Sequence, residues 1–325
     1  MIRLACRLVL LPLAAIAVDE AALLAKKPAK WLSAYGLFDN GLAQIPAEGV
    51  TPYDLATPLF SDHAEKLRFV WTPSPASYDV DEAFEFPVGS VLIKTFAYPE
   101  GAGLIETRLL IRQEAGWKAW PYIWDAEVGD ARLKLAGARF DAEHEGQTIS
   151  YRVPNANQCK GCHMRGGEIT PIGPKARNLN HDFDYGDGAR NQLTEWTVRG
   201  QLDAATSPPE SADWRTGGLD DRARAYLDVN CAHCHRRDGP ASNSGLFLTF
   251  GEEERTALGY RKRPVAAGRG SGGYDFDVAP GDPETSIMIY RMKSPEPGVM
   301  MPELGRSLQH EEGIALISEW IAGLK

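Results

Sequence analysis

The chain has little material for disulfides, with only five cysteines in 325 residues. Cys6 lies in an N-terminal segment, and the other four fall in two short motifs. No thiol is left over for the disulfide framework that exported proteins often carry. Long hydrophobic runs are also lacking. Leu8 to Val18 is apolar but is ended by Asp19 and Glu20, too short to cross the ~30 Å of a bilayer core. No later stretch is longer, so the sequence predicts no membrane span. Positive charge is in deficit, with a formal net charge of -9. That argues against nucleic acid and anionic membrane as partners. Gly268 to Gly273 is glycine-rich but lacks a preceding strand and the G-x-G-x-x-G order, so it reads as a loop and not a phosphate cradle.

What the N-terminus does contain is an export pattern. Arg3 and Arg7 precede the apolar run, and Ala15-Ile16-Ala17 is an A-x-A cleavage site. Residues 1–17 are therefore expected to be a signal peptide and the mature protein to be periplasmic or secreted. Cys6 lies too early for a lipid-attachment pattern.

The four remaining cysteines form two Cys-x-x-Cys-His pentads, Cys159-Lys160-Gly161-Cys162-His163 and Cys231-Ala232-His233-Cys234-His235. This spacing reads as c-type haem attachment. Two thiols about one helical turn apart can each add to a vinyl group, and the adjacent His offers a neutral imidazole nitrogen to iron. The expected cofactor is haem c at two sites, with Cys159, Cys162, Cys231 and Cys234 holding the ring and His163 and His235 as iron ligands. The rival chemistry is a four-thiolate zinc site, which leaves the His after each pair without a role. His233, between the second pair of thiols, reads as a spacer pointing away from iron.

The surroundings of the pentads differ. The second follows a helical pattern over Asp220 to Asn230 and precedes Met300-Met301-Pro302 and an amphipathic segment, His310 to Leu324. With Pro280-Gly281-Asp282-Pro283-Glu284 and Arg291-Met292, this order resembles a class I cytochrome c domain over residues 219–325. The resemblance implies Met301 as the sixth iron ligand, with Met300 the close alternative, while Met288 and Met292 read as core. The first pentad follows Arg152 to Gln158, with no Met-Pro pair between it and the second. His181 is its candidate sixth ligand. His63, His144 and an empty position are alternatives, and Met164 is too close to His163 to reach the opposite ring face.

Residues 18–153 read as β-rich. Val91 to Phe96 and the stretches around Thr107–Ile111 and Trp117–Trp124 have strand character, and turn signals lie between them. Pro121 suggests an edge strand. Trp71, Trp117, Trp120 and Trp124 read as packing residues, with a ligand-binding face as the alternative. The expected fold class is α+β: an N-terminal β-sandwich-like domain, a first haem-attachment segment over 154–218, and a mainly helical cytochrome c-type haem region. The chain from about 35 to 325 also resembles a bacterial family of exported proteins with this β-plus-cytochrome plan. The resemblance rests on Pro58 to Asp62 with Lys66 and Arg68, on Phe86 to Ser90 with Lys94 to Phe96, and on Glu106-Thr107-Arg108. Asn157 to His163 and Asn191-Gln192-Leu193 carry it further. It implies haem binding and electron transfer but no known substrate, and the expected partner is a redox protein. The competing expectations are a dihaem peroxidase- or oxygenase-like enzyme with an open first haem, and a binding module fed with electrons.

Overall fold

The computed structural model describes residues 17–265 and 267–325; the expected signal peptide thus lies almost wholly outside the described residues. The main feature is one six-stranded antiparallel sheet in sequence order. Its strands are β1 (Thr51–Tyr53), β2 (Glu65–Trp71), β3 (Val91–Tyr98), β4 (Gly103–Gln113), β5 (Gly116–Asp125) and β6 (Asp130–Leu133). β-Branched and aromatic residues suit the pleated surface, and β3 to β6 follow one another through short turns. Gln113 pairs with Gly116 across Glu114-Ala115, and Gly116 takes φ of +99°, which costs glycine little.

Both faces of this sheet are covered. Phe69, Val91, Ile93, Leu109, Ile111 and Tyr122 pack under Leu23, Leu32, Tyr35 and Leu37 of the N-terminal segment. Val70, Leu92, Leu110 and Trp117 pack on the other side with Phe84, Phe86, Leu179, Leu193 and Trp196. Double burial explains the imperfect alternation along β4, because apolar residues are wanted on both sides. Trp117 and Trp120 are both buried. Pro121 lies where β5 gains its outer neighbour, since pairing with β6 starts only at Tyr122. The missing N–H therefore falls on the half of β5 that is an edge.

Two expectations about fold class are corrected. The β region is a single sheet with a separate hairpin, β7 (Ala138–His144) and β8 (Gln147–Val153), and not a sandwich of two sheets. The remainder is not a mainly helical haem region. The described chain is 22% helix and 27% strand, and its helices are few and short. They include α1 (Cys159–His163), α2 (Gln192–Val198), α3 (Leu219–Asn230), α4 (Ile287–Lys293) and α5 (Glu311–Gly323). Short strand pairs and long irregular loops fill the space between them. Runs such as Arg236 to Gly245 and Gly268 to Gly273 carry too many glycines, serines and prolines to propagate a helix.

α3 and α5 do form where the pattern placed them. Ile314, Ile317, Trp320 and Ile321 are buried against Ala223, Tyr226 and Leu227. Gly313 permits this approach, because a Cβ there would fall on the Tyr226 ring. Trp320 Nε1 donates to Asp220 at 2.8 Å, tying the end of α5 to the start of α3.

Candidate haem-attachment site

The two pentads, far apart in sequence, lie against each other. The Cys234 thiol donates to the Gly161 carbonyl at 3.3 Å. Cys162 and Cys234 lie close enough to act on each other, which pushes the Cys162 thiol down and the Cys234 thiol up. A charged clamp holds the neighbouring loops together. Arg165 reaches Asp238 at 2.6 Å and Glu82 at 3.0 Å. Arg236 reaches the same two carboxylates at 2.6 and 2.7 Å. Gly166 N donates to Asp238 O at 3.0 Å, adding a backbone link. Behind the clamp, Lys175 and Asp228 form a buried ion pair at 2.9 Å, and Asp228 lies on α3, the helix that delivers Cys231.

Local structure differs between the pentads. The first is itself the short helix α1, entered from an Asn155–Gln158 turn in which Asn155 and Gln158 exchange side-chain hydrogen bonds. The second is a turn continuing from α3, with Cys231 N bonded to Leu227 O and His235 N to Cys231 O. All four thiols are free and partly exposed.

The two histidines share one tautomer. His163 Nδ1 lies 2.8 Å from the Thr170 carbonyl. A carbonyl only accepts, so Nδ1 carries the hydrogen and the Nε2 lone pair is left free. His235 Nδ1 lies 3.3 Å from Ser244 Oγ, whose own hydrogen is given to Ala241 O. His235 therefore also donates through Nδ1. Burial lowers both imidazoles, His235 to about 4, which favours the neutral ring. A neutral ring with Nδ1–H anchored and Nε2 free is the form that ligates iron.

Met301 and Cys231 line one space of about 350 Å³, partly open to solvent, with Phe60, Tyr226, Met292 and His310. Arg306 fixes the Met301 backbone by donating to its carbonyl at 2.8 and 3.1 Å. A second space of about 360 Å³ is lined by Cys162, Met164, Thr170, His233 and Arg236.

His181 is not brought into contact with the first pentad. Its ring lies 3.2 Å from Gln192 Nε2, and the charges acting on it are Asp54, Asp213 and Asp182. His63 and His144 stack on each other at 4.9 Å. Phe60 touches His63 and stacks on His310 at 4.2 Å, which puts this aromatic group beside the Met301 space. His233 is 8% exposed; its Nδ1 lies 3.3 Å from the Val229 carbonyl, and it lines one space with Cys162, whose thiol it helps to push down. Sequence reasoning missed the roles of His233, His310, Glu82 and Asp238. Only long-range contacts reveal these, and no local spacing encodes them.

Among the described residues, no three His, Cys, Asp or Glu side chains converge in a metal-holding geometry. A haem iron asks for only two axial protein donors, so its site does not require such a cluster. The donor chemistry fits haem: two thiol pairs, two imidazoles that donate through Nδ1, and one thioether residue lining the same space as Cys231. Among the described residues no helix is long and apolar enough to cross a membrane. Comparisons with protein families, curated proteins and solved structures found no match to this chain.

Proposed function

We propose that this protein is an exported c-type cytochrome that carries two haem groups and passes electrons to or from a redox partner protein. The observation that supports this most strongly is the contact between the two pentads, each with an anchored histidine. Cys159 and Cys162, and Cys231 and Cys234, would hold the rings through thioethers. His163 and His235 would offer Nε2 to iron, with Thr170 and Ser244 holding the Nδ1 hydrogens in place. Met301 would supply the sixth ligand at the second site. The bound haem supplies a reversible one-electron couple, and a thioether ligand raises its potential. The Glu82–Arg165–Arg236–Asp238 clamp fixes the two attachment points relative to each other, which favours transfer between them.

A second reading is an enzyme with an open first haem. It is favoured by the position of His181, which faces Gln192 and not the first pentad. Optical and EPR spectra of the purified protein separate the two readings. Two low-spin ferric signals support the carrier. A high-spin signal that shifts with cyanide or peroxide supports the enzyme and overturns the simple carrier.

A further inference from the structure

The three stretches Lys66–Arg68, Lys94–Phe96 and Glu106–Arg108 carry charges that haem attachment does not use. Register brings them together. On one face of the sheet the row Val70–Leu92–Leu110 is apolar and belongs to the core. The next row on that face is Arg68–Lys94–Arg108, and the one after it Lys66–Phe96–Glu106. Three cations therefore stand side by side across β2, β3 and β4, with a fourth, Lys66, diagonal to them. Strand neighbours of like charge repel, so such a row needs a compensating anion.

The carboxylates nearby supply only part of that compensation. Glu106 is taken by Arg108 at 2.5 Å and by the Tyr151 hydroxyl at 2.6 Å. Asp62 accepts backbone N–H groups from Ser307 and Leu308. Asp54 pairs with Arg68 Nη1 at 2.6 Å but is 53% exposed. Arg68 is 4% exposed and its Nη2 is buried without any hydrogen-bond partner. Lys94 Nζ lies over the Phe96 ring at 4.9 Å, and the Arg108 guanidinium lies over the same ring at 4.2 Å. Among the described residues Lys66 Nζ donates only to the Ala64 carbonyl, at 2.7 Å. A buried guanidinium nitrogen left unpaired is costly, and a cation row around it marks a place prepared for a ligand.

We propose that Lys66, Arg68 and Lys94 form an anion-binding site on the β2–β3–β4 face, taking a carboxylate or a small oxyanion. Burial, with neighbouring cations, pushes Lys66 down to about 7 and Lys94 well below its usual range, as expected when the compensating charge is missing. The site borders the first pentad: Arg108 and Glu106 act on the Cys159 thiol, and Lys94 acts on His163. The carboxylate therefore has two possible sources, a free small anion or a propionate of a haem held at that pentad. The second source rests on the haem reading above; the first does not.

Calorimetric titration of the purified full-length protein with inorganic phosphate and with succinate tests the site. The same titration is run on the Cys159→Ser/Cys162→Ser double variant and on Lys94→Met in both backgrounds. If the source is a free anion, the wild-type protein binds a probe and Lys94→Met weakens binding at least tenfold. If the source is a propionate, the wild-type protein binds neither probe, the double variant binds one, and Lys94→Met removes that binding. No binding in either background, or binding unchanged by Lys94→Met, overturns the proposal. Folding of Lys94→Met is checked by its melting temperature in the Cys159→Ser/Cys162→Ser background without added anion, where neither source supplies a carboxylate. Loss of an uncompensated cation should leave that temperature equal or higher, and a large drop would contradict the uncompensated row.

Discussion

Cys234 of the second pentad donates its thiol hydrogen to the carbonyl of Gly161 in the first, at 3.3 Å. This one contact turns two separate motifs into parts of one site. Leu304 also lies against Gly161, 3.1 Å from where a Cβ would sit. The Met-Pro loop, the second pentad and α1 thus meet in one place. Replacement of Gly161 by a larger residue would push against Leu304.

Met301 is expected to matter at the second site and not at the first. Met301→Ala should convert one haem to high spin and lower its potential, leaving the other unchanged. Redox titration followed optically, together with EPR, reads both effects. Unchanged spectra would move the ligand role to Met300.

The Lys175–Asp228 pair is buried on both sides, at 7% and 3% exposure. Lys175→Met leaves Asp228 charged and without its ion-pair partner. A loss of about 3–5 kcal/mol in folding stability is expected, measured by urea unfolding. Lys175→Met combined with Asp228→Leu should recover most of the loss, since no buried charge is then left unpaired. A single variant as stable as the parent would show that the pair does not hold α3.

The clamp gives the protein an acid limit. Burial raises the Asp238 carboxyl, but hydrogen bonds from Arg165 and Arg236 outweigh it and bring it down to about 2. In the unfolded chain the group titrates near its ordinary value of about 3.9. A depressed folded value contributes stability above pH ~4 that fades as pH falls toward ~2. Because Asp238 is 40% exposed, solvent screening holds its share to under about 1 kcal/mol. Asp238→Asn should flatten the stability profile between pH 4 and 2 while changing its shape little above pH 5. Thermal melting across that range checks it.

Gly313 is required by the approach of α5 to α3. Gly313→Ala should cost about 1–3 kcal/mol, because the added methyl meets the Tyr226 ring. The Gly313→Ala/Tyr226→Leu pair should lose less than the sum of its parts, and differential scanning calorimetry measures the difference.

Local pattern made some of this architecture legible. α3 and α5 were readable because their apolar positions recur at helical spacing, and β3 because it concentrates β-branched residues. The single sheet was only faintly legible: the imperfect alternation along β4 marks a strand covered on both faces, but several short strands with turn signals suggest a sandwich equally well. The scarcity of helix around the pentads was hidden as well. A resemblance resting on a few short stretches says little about the loops between them, and those loops are rich in glycine and proline. At the site, Cys159, Cys162, Cys231, Cys234, His163 and His235 could be named from spacing alone. Their convergence, the clamp of Glu82 and Asp238, and the placing of His233 beside Cys162 depend on contacts between distant segments. The cation row was present in the sequence as Lys66-Leu67-Arg68, Lys94 and Arg108, but only strand register placed those residues side by side.

The central claim is that both pentads carry haem c. Its most direct test is the intact mass of the protein after export from a bacterial host competent to attach haem c. The account predicts a chain lacking the first 17 residues and heavier by two covalently bound haem groups. A chain bearing one haem or none would contradict it.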